Sequence, residues 1–163
     1  MQEEILVTTS YQETQKVGEN FSKKLKGGEV LALYGDLGSG KTTFVQGLAK
    51  GLGIKRRIIS PTFIVVRTYK IKNQKSKIKS TSQNAKFFYH IDLYRIENQN
   101  DIKRLGIEEI INDPQNIVAI EWAEKLGKRK PRKRVDIDFK YADSNKRRIS
   151  IRFDMPMHRL SSA

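Results

Sequence analysis

Cysteine is missing from this 163-residue chain. That absence rules out disulfides and thiolate-held metals, and it fits a reducing compartment. Long apolar runs are missing too, since none approaches the ~20 residues that a membrane helix needs. The opening Met1-Gln-Glu-Glu-Ile-Leu-Val7 is acidic and short, so neither a signal peptide nor a transit peptide is expected. No internal repeat is present. These absences predict a soluble, cytoplasmic protein without a membrane partner, and the length suits one domain with its own core.

Acids are scarce in two places. The chain carries 32 Lys and Arg against 18 Asp and Glu, a formal net charge of +14. Six lysines and no acid lie between Lys70 and Lys86, and seven basic residues and no acid lie between Lys125 and Arg134. Those thirteen account for all but one of the net charges, so the excess is local and not spread over one face. Each segment reads either as a solvated loop or as a surface drawn to RNA or to an acidic partner. Neither interleaves aromatics with its cations, so base stacking has no support.

What is present centres on Gly35-Asp-Leu-Gly-Ser-Gly-Lys-Thr-Thr43, which satisfies G-x-x-x-x-G-K-[ST]. Gly35, Gly38 and Gly40 let the backbone turn and approach an anion without a Cβ in the way. The backbone N–H groups of Asp36, Leu37, Ser39 and Thr43 join theirs around the phosphates. Lys41 brings an ammonium to the β and γ phosphates, and the Thr42 hydroxyl can ligate Mg²⁺. Glu29 to Tyr34 reads as a buried strand before this loop, and Thr42 to Leu52 reads as a helix after it, with Val45, Leu48 and Leu52 on one face. That order aims a helix N-terminus at phosphate.

Along the rest of the chain, Glu4 to Thr8 reads as a strand. Ser10 with Glu13 forms a capping box that opens a helix to about Leu25, closed by Gly27-Gly28. Ile58 to Tyr69 reads as a β-rich run with an extended entry at Ser60-Pro-Thr62, and a second strand follows at Phe87 to Tyr94. The two form a hairpin around the lysine-rich insert at about 70–86. Ile102 to Asn112 reads as one amphipathic helix, broken by Pro114. Asn116 to Trp122 is a buried strand, and Val135–Phe139 with Arg148–Phe153 form a closing antiparallel hairpin. Residues 155–163 carry no pattern and are expected to be a disordered tail, leaving 1–154 as the domain.

A phosphate loop needs an acid at the end of a neighbouring apolar strand. Glu121, after Ile117-Val-Ala-Ile120, is assigned to Mg²⁺. Asp92 is its rival for that role and otherwise orients or activates the attacking water; its structural alternative is pairing with Arg95. His90 is either a structural strand histidine or a base. Thr62 is a loop hydroxyl in reach of a γ-phosphate.

Gly35–Thr43, Ser60-Pro-Thr-Phe63, His90-Ile-Asp-Leu-Tyr-Arg95 and Ile120-Glu-Trp122, in that order, closely resemble the TsaE (YjeE) family. The resemblance spans roughly residues 4–153. It implies a single α/β P-loop domain with a mixed β-sheet flanked by helices. It further implies ATP and Mg²⁺ binding and slow ATP hydrolysis that supports threonylcarbamoyladenosine (t6A) formation at adenosine 37 of tRNA. Its implied partners are TsaD and TsaB homologues, with tRNA contact direct or indirect. By motif match, Lys41 and Thr42 take the phosphate and metal roles, Glu121 is the metal acid, Asp92 a catalytic acid and Thr62 a switch-like threonine. The family's nucleotide position implies adenine contacts at Ser10 or Tyr11 and at Lys146. The lysine-rich insert is longer than the family's hairpin tip.

Two other functions remain open to the sequence. A small-molecule kinase would use Lys128–Arg134 as a basic lid and Asp92 as base, and a non-catalytic RNA-binding module would use the basic segments alone. A GTPase finds less support, because Asn145-Lys146 is followed by arginines and not by the N-K-x-D aspartate. No arginine is evidently placed as a finger, which predicts slow turnover without a partner.

Overall fold

A computed structural model of the chain describes residues 1–72 and 85–153. Most of the lysine-rich insert and the expected tail lie outside the described residues. Seven strands form one mixed sheet: β1 (Gln2–Thr8), β2 (Val30–Tyr34), β3 (Val66–Lys70), β4 (Phe87–Asp92), β5 (Asn116–Glu121), β6 (Val135–Asp143) and β7 (Lys146–Phe153). Their spatial order is β1-β7-β6-β2-β5-β4-β3. The central run β6, β2, β5 and β4 is parallel, while β1, β7 and β3 pair antiparallel with their neighbours.

Helices cover both faces, which explains why every residue of β5 is buried. α1 (Tyr11–Ser22) and α2 (Lys41–Gly51) pack on one face. There Leu31 and Leu33 of β2 meet Phe21, Phe44, Val45 and Leu48. α3 (Gln99–Arg104), α4 (Ile107–Asn112) and a 3₁₀ helix over Ala123–Arg129 lie on the other face. Val30 and Ala32, the alternate residues of β2, pack there against Ile102, Ile107 and Leu126. α1 and α2 touch backbone to backbone. A Cβ at Gly18 would lie 2.2 Å from the Phe44 carbonyl oxygen, and one at Gly47 would lie 1.9 Å from that of Gln15.

Three local readings change. The Ser10 hydroxyl does accept the Glu13 N–H at 3.1 Å, but the Glu13 carboxylate reaches back to Thr9, at 2.7 Å from its N–H. The helix then ends at Ser22, and successive turns carry Leu25 into the core. The segment 102–112 is two short helices, because Gly106 adopts φ +68° between them. Thr62 to Val65 form a turn and not a strand: the N–H groups of Ile64 and Val65 both donate to the Pro61 carbonyl. Val65 takes φ +65°, which strains a β-branched residue by ~1–3 kcal/mol. That turn is held in place because the Val65 carbonyl accepts the Asp92 N–H at 2.9 Å. Among the described residues no helix is long and apolar enough to cross a membrane.

Candidate functional site

Parallel pairing of β2, β5 and β4 brings the strand ends at Tyr34, Glu121 and Asp92 to one edge of the sheet. The glycine loop leaves β2 there and turns back into α2. Gly35 has no room for a side chain, since a Cβ would sit 2.6 Å from the Phe139 carbonyl oxygen. Gly40 takes φ +111° as the residue before α2, so the open N–H groups of that helix face the loop.

One cavity of about 280 Å³ collects the residues named for chemistry: Lys41, Thr42, Thr62, Asp92 and Glu121, together with Leu37, Gly38, Gly40, Thr43, Ser60, Tyr94 and Trp122. The Thr42 hydroxyl donates to Glu121 Oε1 at 2.7 Å, and Glu121 Oε2 lies 2.6 Å from His90 Nε2. Asp92 is held by a separate set. Its Oδ2 accepts the hydroxyls of Ser60 at 2.6 Å and Thr62 at 2.8 Å, and its Oδ1 accepts the Tyr94 N–H at 2.9 Å. Arg95 turns away from Asp92 and lies over the Phe63 ring, 4.4 Å from its centroid, so the pairing of Asp92 with Arg95 is not made.

Lys41 folds back on the loop. Its ammonium donates to the carbonyls of Gly35 and Asp36, the latter at 2.9 Å, and lies 4.3 Å from the Trp122 ring centroid. Burial pushes its pKa below the ordinary lysine value, against the opposing pull of the Glu121, Glu124, Asp92 and Asp36 carboxylates. Trp122 reaches this position because its backbone adopts φ +58° directly after β5. Its direct contacts are thus neutral carbonyls and an aromatic face, groups that an anion can replace.

A second cavity of about 330 Å³ opens on the other side of the loop, lined by Thr9, Ser10, Tyr11, Thr14, Gly38, Gly40, Thr43, Ser144, Asn145 and Arg147. Ser10 and Tyr11, the expected adenine contacts, are among its lining residues. Lys146 is not among the lining residues; its neighbour Arg147 is. The Arg147 guanidinium lies 4.0 Å from the Tyr141 ring centroid, and the Tyr141 hydroxyl donates to the Leu37 carbonyl at 3.3 Å. In a strand, adjacent side chains face opposite ways, so a choice among Lys146, Arg147 and Arg148 turns on register alone.

The residues present fit magnesium of the kind that a nucleotide brings with it. Thr42 and Glu121 offer two hard oxygen donors already in contact. Among the described residues no group of three or more His, Asp or Glu side chains forms a ready metal cage. A cation here would therefore complete its shell with phosphate and water oxygens. The basic segment 125–134 is tied down at three of its seven basic residues. Lys125 donates to the carbonyls of Tyr94 and Ile96, Arg129 pairs with Glu108, and Arg134 pairs with Asp136. That anchoring suits neither a mobile basic lid nor a wholly solvated loop.

Two participants escaped sequence reasoning. Ser60 is the second hydroxyl on Asp92, and its signal was the Ser-Pro-Thr spacing that places Ser60 and Thr62 two residues apart. Arg147 had no signal beyond its basic neighbours.

Comparison with known proteins places the chain in context. The family model described as "Threonylcarbamoyl adenosine biosynthesis protein TsaE" matches residues 8–149. The chain is 33% identical to the tRNA threonylcarbamoyladenosine biosynthesis protein TsaE of Bacillus subtilis, over 94% of this chain and 91% of the relative. It is 38% identical to the protein of that name from a Nostoc species, over 85% of this chain and 78% of the relative. The crystal structure of YdiB from Bacillus subtilis superposes with a TM-score of 0.72 at 27% identity, covering 94% of this chain and 87% of that one.

Proposed function

This chain belongs to the TsaE family of threonylcarbamoyladenosine biosynthesis proteins, and from that premise we propose that it is a cytoplasmic, magnesium-dependent ATPase that serves tRNA t6A37 formation by a complex of TsaD and TsaB homologues. The observation that carries this reading is the single cavity that holds Lys41, Thr42, Thr62, Asp92 and Glu121 against the glycine loop.

The triphosphate would lie along the loop, with its nucleoside in the cavity lined by Tyr11, Ser144 and Arg147. Loop amides and the α2 N-terminus would bind the phosphate oxygens. Lys41 would trade the Gly35 and Asp36 carbonyls for the β and γ phosphates. Thr42 and Glu121 would hold magnesium, which supplies charge neutralisation at the phosphate oxygens when bound. Asp92, fixed by Ser60, Thr62 and the Tyr94 N–H, would orient the attacking water. Thr62, beside it, would meet the γ-phosphate.

No arginine lines this cavity among the described residues. A charge supplied in trans is worth ~10³–10⁵ in rate for phosphoryl transfer. The isolated protein should therefore turn over slowly, and the partner complex should complete the site. Phosphate release measured with and without the TsaD–TsaB complex tests this. Stimulation by the complex is expected, and full activity of the chain alone would sink the partner-completed site. A pull-down of TsaD and TsaB with ATP, ADP or no nucleotide tests the partnership itself.

A further inference from the structure

We propose that His90 is a positioning residue that fixes the rotamer of Glu121, so that this carboxylate keeps one oxygen on Thr42 and offers the metal a preset donor. The inference rests on the magnesium–ATP reading above.

The geometry begins with strand register. β4 and β5 run parallel, with His90 level with Ala119 and Asp92 level with Glu121. His90 therefore sits one strand across and two residues behind Glu121, on the same face of the sheet. Its Nε2 lies 2.6 Å from Glu121 Oε2, while Glu121 Oε1 accepts Thr42 at 2.7 Å. The carboxylate is pinned at both oxygens.

Glutamate needs that pin more than aspartate would. It carries one more rotatable bond, so its carboxylate samples more positions at the end of the strand, and holding it costs more side-chain entropy. Histidine, glutamate and the bond between them are all inside the protein, His90 at 0% exposure and Glu121 at 2%. A carboxylate accepts and does not donate, so the imidazole must carry its proton on Nε2. Nδ1 is buried and has no partner. An unsatisfied buried nitrogen is a cost, and His90 makes just one side-chain hydrogen bond among the described residues to offset it, the one with Glu121. The side chain is absent from the cavity lining, behind Glu121, so it meets neither nucleotide nor attacking water. Asp92 is held without it, by Ser60, Thr62 and the Tyr94 N–H. The bond thus serves the metal side of the site and leaves the water side alone.

The test compares two amides. Gln at position 90 carries its NH₂ as many bonds from Cα as Nε2 of histidine, whereas Asn carries it one bond short. Nucleotide affinity is measured by calorimetry across a Mg²⁺ titration and again in EDTA, with a thermal melt of each protein. His90→Asn should raise the Mg²⁺ half-saturation ~10–100-fold, the usual cost of losing an outer-shell partner, while affinity in EDTA stays as in the parent. His90→Gln should restore the Mg²⁺ response to within about threefold of the parent. A structural role would instead follow the melting temperatures, which both amides lower together. A parental Mg²⁺ response in H90N, or equal impairment of H90N and H90Q, overturns the proposal. If H90N does not fold, H90Q against the parent still decides, because a rise of tenfold or more there overturns it. Loss of any Mg²⁺ dependence in the parent protein would remove the magnesium–ATP reading first, and this inference with it.

Discussion

The two cavities flanking the glycine loop are built in opposite ways. In the cavity proposed for the phosphates, Asp92 and Glu121 are buried, and five side-chain or backbone hydrogen bonds fix their four oxygens. In the cavity proposed for the nucleoside, Tyr11, Ser144 and Asn145 are exposed. The first holds its carboxylates by hydrogen bonds, and the second leaves its side chains open to solvent. Binding and chemistry should therefore respond to different substitutions.

The sharpest way to break that contrast is Asp92→Ala. Phosphate release in the partner complex should fall ~10²–10⁴-fold, with ATP affinity by calorimetry nearly unchanged. An equal loss in affinity would show the two sides to be one unit. Lys41→Ala comes next, and should weaken ATP binding about 10²-fold through lost charge-assisted hydrogen bonds. Calorimetry of the nucleotide-free protein reads this directly. Arg147→Ala should raise KM about five- to tenfold with kcat unchanged, through loss of one cationic contact. Lys146→Ala should leave both constants alone, and the reverse ranking would restore Lys146 as the nucleoside contact.

The smallest effect concerns stability. Folding lowers the Lys41 pKa, so between its folded value and the ordinary 10.5 the unfolded chain binds more protons, and stability rises with pH across that interval. Lys41→Met removes this dependence. Without nucleotide the variant should melt above the parent at neutral pH, and the gap should narrow toward pH 10.5. A variant that melts below the parent would mean that the Gly35, Asp36 and Trp122 contacts outweigh burial.

Much of this was legible before any coordinates. The glycine loop, the strand before it and the helix after it obey local rules. Parallel strands ending in acids then bring Asp92 and Glu121 to the same edge. What stayed hidden depended on contacts distant in sequence. Phe63-Ile-Val65 has strong β-propensity, yet the Val65 carbonyl is required by the Asp92 N–H, and the tertiary bond overrides the local preference. Gly106 lies inside a periodic apolar pattern that signals one helix, and its left-handed backbone divides that pattern in two. The bond from His90 to Glu121 spans 31 residues, a distance at which strand order must be known first.

The glycine contact between α1 and α2 sets a dimension of the site. α1 begins at Tyr11 beside one cavity, and α2 begins at Lys41 beside the other. With no side chain at Gly18 or Gly47 to hold the two helices apart, the pair works as a fixed calliper whose jaws are Tyr11 and Thr43. A single methyl at Gly47, 1.9 Å from the Gln15 carbonyl oxygen, would spread those jaws from a point that lines neither cavity. In the proposed binding mode, how far the sugar stands from the phosphates is thus gauged by bare backbone in the middle of the protein.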